Sequence, residues 1–145
     1  MRANLIRCTA IALLLGGAIA SPAAAASRIQ IVIDVNNLTG TESFVTTGGF
    51  CPTGTAVSHD FRSTGRGENH AFTFHLEKTL TCADGSGTLT IRVNAATTDG
   101  APGDQGGWSV MAGSGAWATA SGGGNLVGTY VDTGIIDRYT GVLQV

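Results

Sequence analysis

The chain has 145 residues, 43% of them hydrophobic and only 12% charged, with a formal net charge of −2. Eight Lys+Arg against ten Asp+Glu leave no basic surplus to neutralise phosphates, which excludes a nucleic-acid-binding role. Beyond residue 26 no apolar run approaches the roughly 18 residues of a spanning helix, so no membrane span is expected.

Residues 1–26 read as a secretory signal peptide. Arg2 and Arg7 supply a positive start, Ile11 to Ala20 (IALLLGGAIA) a short apolar core, and Ser21-Pro22 a break. Ala24-Ala25-Ala26 then meets the small-residue rule for cleavage before Ser27. Cys8 lies inside this leader, and Arg7 beside it argues against lipoprotein processing. The expected product is residues 27–145, one domain, extracellular or periplasmic. Loss of Arg2 and Arg7 with the leader takes the net charge from −2 to −4.

Along that domain the apolar residues alternate with period two rather than 3.6. In Arg28–Val35, Ile29, Ile31, Ile33 and Val35 share a face. Asn36-Asn37-Leu38-Thr39-Gly40 separates this strand from Thr41–Gly48, and Cys51-Pro52-Thr53-Gly54 precedes Thr55–Phe61. In Asn69–Thr81, His70, Phe72, Phe74, Leu76 and Leu80 lie on one face. Ala83-Asp84-Gly85-Ser86-Gly87 is a hairpin turn into Thr88–Ala95, where Leu89, Ile91, Val93 and Ala95 alternate with polar residues. Asp99–Gly107 (DGAPGDQGG) is a mobile loop by composition, and Trp108–Ala112, Asn125–Val131 and Ile135–Val145 complete about eight strands. Strands with one wet face each predict an antiparallel sheet, closed as an eight-stranded β-barrel or folded as a β-sandwich. The barrel has the advantage of leaving no unpaired edge.

Cys51 and Cys82 are the cysteines outside the leader. In an oxidising compartment an even pair reads as a disulfide. A metal or redox pair is disfavoured because neither CxxC spacing nor a histidine at ligand spacing is present.

Motifs for chemistry are sparse. Gly113-Ser114-Gly115-Ala116-Trp117-Ala118 matches a dinucleotide fingerprint only formally, without the parallel strand–helix context that mechanism needs, and reads as a barrel turn. No nucleophile elbow, zincin motif or P-loop is present, so no cofactor is expected. No metal site is assigned: Glu68 and His70 share a strand face that His75 opposes, and a His59–His75 pairing is left open. The best polar constellation is Asp137 and Tyr139, two apart on the last strand with Ile135 and Leu143. On an inward face they are candidate catalytic residues, a carboxyl lifted by burial beside a phenolic donor. Alternatively Asp137 faces solvent, or pairs with an arginine to hold the barrel shut.

Two segments resemble a known family. Gly107 to Gly122 (GWSVMAGSGAWATASG) runs a strand into a glycine turn and an aromatic, and Ile135-Ile136-Asp137-Arg138-Tyr139-Thr140-Gly141 is similar to a closing strand. Together they resemble the allene oxide cyclase-like and dirigent-like barrel superfamily, particularly its small secreted bacterial members. The resemblance implies an eight-stranded antiparallel barrel with an apolar cavity. In plant relatives such a cavity guides cyclisation or coupling of a small apolar molecule without a cofactor. The expectation is therefore a small-molecule-binding barrel with His70, Phe72, Phe74 and Tyr139 against the ligand. A cofactor-free cyclase or coupling guide using Asp137 and Tyr139 is one alternative, and an extracellular structural or interaction protein another.

Overall fold

The computed structural model describes residues 25–65 and 71–145. The predicted leader, apart from Ala25 and Ala26, lies outside the described residues, as do Glu68 and His70. Eight strands follow in chain order: β1 (Ser27–Asn36), β2 (Thr41–Gly48), β3 (Thr53–Thr64), β4 (Ala71–Cys82), β5 (Gly87–Thr98), β6 (Gln105–Gly115), β7 (Ser121–Val131) and β8 (Gly134–Gln144). Each pairs antiparallel with the next, and β1 pairs with β8 to close the barrel. Closure, rather than a sandwich, gives every strand two partners and removes the edges that would otherwise template aggregation.

The period-two pattern sets which side chains face inward. Ile31 and Ile33 of β1, Leu89 and Ile91 of β5, and Tyr139 of β8 are fully buried. Their neighbours in sequence point to solvent, as the pleat requires. Among the described residues no helix is long and apolar enough to cross a membrane.

The two ends of the barrel differ. At one end the β2–β3, β4–β5 and β6–β7 connections meet and seal the interior. Cys51 and Cys82 are disulfide-bonded there, their Cα atoms 5.8 Å apart. Phe50 stacks on Phe44 at 5.8 Å between centroids and meets the edge of Trp117 at 4.8 Å. The Trp117 indole N–H donates to Ser86 Oγ at 3.3 Å, tying two connections together. Gly54 is required here, because a Cβ would sit 2.6 Å from two ring carbons of Phe44. A compact disulfide-bonded barrel of this kind fits an extracellular or periplasmic protein.

One expectation needs correction. The predicted mobile loop Asp99–Gly107 is shorter and pinned down. Residues 105–107 belong to β6, and the backbone before them is docked on β7. The Tyr130 and Gly128 amides donate to the carbonyls of Pro102 and Asp104, each at 2.9 Å, and Thr97 Oγ1 donates to the Gly103 carbonyl at 2.8 Å. Composition signalled a turn-rich segment, but these hydrogen bonds extend β7's pairing beyond the end of β6.

Candidate functional site

At the end opposite the disulfide the interior is not filled. A cavity of about 390 Å³ opens there, bounded by the β1–β2, β5–β6 and β7–β8 connections. Its walls are apolar, with Val35, Phe74, Leu76, Ala95 and Ile135 contributed by alternate positions of β1, β4, β5 and β8. Phe61 joins them through an irregularity. Between the pairs His59–Glu77 and Arg62–His75, two residues of β3 oppose one of β4. This is a β-bulge, and Asp60 takes a left-handed φ of 54° to make it. The bulge reverses the alternation, so Phe61 rather than Asp60 borders the cavity, its ring 5.8 Å from that of Phe74.

One side of the cavity is polar. Lys78 is only 3% exposed, on the inner face of β4. Its Nζ donates to Glu42 Oε2 at 2.8 Å and to Ser58 Oγ at 2.7 Å, and lies 3.9 Å from Asp137 Oδ2. Asp137 Oδ2 also accepts a 3.0 Å hydrogen bond from the Tyr139 hydroxyl. Burial alone would raise the Glu42 carboxyl, but the hydrogen bond and charge of Lys78, with help from Ser58, hold it below its ordinary value. Burial pushes Asp137 up, against the opposing pull of Lys78 and Tyr139. Burial, then the Asp137 charge, raises the Tyr139 phenol well above its ordinary value, so it stays protonated and serves as a donor.

Asp104 completes the cluster from the segment docked before β6. Its Oδ1 is buried and has no hydrogen-bond partner among the described residues. Burial, reinforced by the Asp137 charge, raises this carboxyl to about 6, against smaller opposing pulls from the Gly128 amide and Lys78. Gly128 is what lets the two carboxyls converge. A Cβ there would overlap Asp104 Oδ1 and come within 3.0 Å of Asp137 Oδ1.

A measurable consequence follows for pH. The native state holds the Asp104 proton more tightly than the unfolded chain does. Its contribution to stability is therefore full below the ordinary value of 3.8 and is lost as pH rises through about 6. Asp104→Asn cannot ionise. Thermal unfolding at neutral pH should show it about 1 kcal/mol more stable than wild type, a figure reduced for the half-exposed position of the group. The advantage should vanish in acid; an equal difference at every pH would contradict it.

The structure brings together part of what the sequence suggested. Asp137 and Tyr139 do face the barrel interior, 5% and 0% exposed. Asp137 does not face solvent, and among the described residues its cationic neighbour is Lys78 rather than an arginine. Phe74 and Tyr139 line the cavity, whereas Phe72 is half-buried and lies outside its lining. His59 and His75 do not pair. His59 Nε2 bonds Thr79 Oγ1 at 2.9 Å, and His75 Nδ1 bonds Asn94 Oδ1 at 2.6 Å. On the outer surface His59, Asp60 and Glu77 bring ligand-type atoms within 4.8 Å of one another, with Arg92 bonded to Glu77 at 3.2 Å.

Lys78, Glu42, Phe61 and Asp104 are among the cavity residues that sequence reasoning did not single out. Lys78 shares the parity of Phe72, Phe74, Leu76 and Leu80, and Glu42 that of Phe44, so alternation could have placed both inside. Phe61 depends on the bulge and Asp104 on a docked loop, which have no local signature.

No protein-family model matches the chain, and neither does any curated protein or solved structure.

Proposed function

We propose that the chain is an exported barrel, cleaved between Ala26 and Ser27, that binds a small, largely apolar molecule in its open end. The observation that carries this reading is the cavity of about 390 Å³ with aromatic and aliphatic walls, within the usual size range for small-molecule sites. A closed eight-stranded antiparallel barrel is also the fold implied by the resemblance to allene oxide cyclase-like and dirigent-like proteins. Catalysis of the cyclase or coupling type is less favoured, because Asp137 and Tyr139 are bonded to each other with Lys78 alongside. That arrangement braces the wall.

Thermal unfolding against a panel of small apolar compounds tests the proposal. A ligand present at a hundred times its Kd should add about 2.7 kcal/mol of stability. If no compound raises the melting temperature, and native mass spectrometry of protein from its source shows no bound molecule, binding is wrong. An extracellular structural or interaction role then replaces it.

A further inference from the structure

The polar side of the cavity is unbalanced. Among the described residues three carboxyls, Glu42, Asp104 and Asp137, line it against one ammonium, Lys78. That ammonium is already committed to Glu42 and Ser58, with Asp137 as its more distant partner. Asp137 is further satisfied by Tyr139. Asp104 is left over: its Oδ1 is buried with no hydrogen-bond partner among the described residues. A buried oxygen without a donor is unfavourable, and Gly128 keeps the arrangement possible by leaving room for Asp104 beside Asp137. Phe61, Phe74, Leu76 and Ile135 supply apolar surface in the same cavity.

We propose that the ligand is a cationic amphiphile, a short apolar body ending in an amine whose N–H groups donate to Asp104 and Asp137. This rests on the binding reading above and narrows it. An ammonium head beside these carboxyls offsets the surplus negative charge of the described residues. Its tail covers the aromatic and aliphatic wall. A neutral alcohol of the same length supplies a donor without the charge, and a carboxylate adds a repulsion.

Isothermal titration of the full chain near neutral pH with octylamine, octanol and octanoate, three probes with one tail, separates these terms. Octylamine should bind about tenfold more tightly than octanol, the scale of one charge-assisted hydrogen bond, with octanoate weakest. In Asp104→Asn the advantage of octylamine over octanol should fall to about threefold or less. If octanol and octanoate bind wild type as tightly as octylamine, the amine assignment is overturned and the apolar cavity reading stands. An undiminished amine preference in Asp104→Asn overturns it equally. Failure of octylamine to bind overturns the amine assignment, and the thermal panel with native mass spectrometry decides the binding reading separately.

Discussion

Lys78→Met is expected to destabilise the protein by about 3–5 kcal/mol, because it leaves Glu42 and Asp137 inside the barrel with no counter-charge. Methionine matches the length of the lysine stem, so little of the loss arises from packing. Lys78 and Glu42 are bonded at 2.8 Å with side-chain exposures of 4% and 14%. The melting temperature should fall by roughly 10–25 °C. Adding Glu42→Gln and Asp137→Asn to Lys78→Met should recover a large part of that loss, since the penalty lies in the stranded charges. Differential scanning calorimetry of the single and triple variants decides it. A single variant within about 1 kcal/mol of wild type would show that the buried cation does not hold the wall.

Loss of the disulfide should have an effect of similar size at the other end. Cys51 and Cys82 are separated by 31 residues. Cross-linking a loop of that length stabilises by roughly 3–4 kcal/mol in the chain-entropy model. Cys51→Ser with Cys82→Ser should lower the melting temperature by roughly 10–20 °C, and wild type in reductant should melt with the double variant. The bridge sits among Phe44, Phe50 and Trp117 at the sealed end. Ligand affinity below the new melting temperature should therefore change little, because the cavity lies at the opposite end. Coincident melting of wild type with and without reductant would show that the bridge contributes nothing.

How far the sequence reached can be seen strand by strand. The alternation of Ile29, Ile31, Ile33 and Val35, and of Leu89, Ile91, Val93 and Ala95, marks inward faces without reference to any partner, since side-chain direction along a strand is a local property. The hairpin at Ala83–Gly87 and the glycine turn ending β6 are likewise legible, because turns demand particular residues at particular φ values. Asp137 and Tyr139 could be placed on one face with Ile135 and Leu143 for the same reason. The Cys51–Cys82 pairing followed from an even count and compartment chemistry.

What alternation along one strand does not contain is which strands face each other across the barrel, and that is where the site was decided. Glu42 and Lys78 lie 36 residues apart in sequence and meet only because closure carries β2 and β4 round a shared interior. Asp104 reaches the same cavity because the backbone before β6 hydrogen-bonds to Gly128 and Tyr130, converting a glycine-rich segment from a loose loop into a wall. Phe61 turns inward because a two-for-one bulge reverses its pleat. The sequence by itself determined the strands, their faces and the cross-link. Tertiary structure alone decided that one end is plugged, the other open, and that among the described residues three carboxyls share a single lysine, because these depend on contacts between residues far apart in the chain.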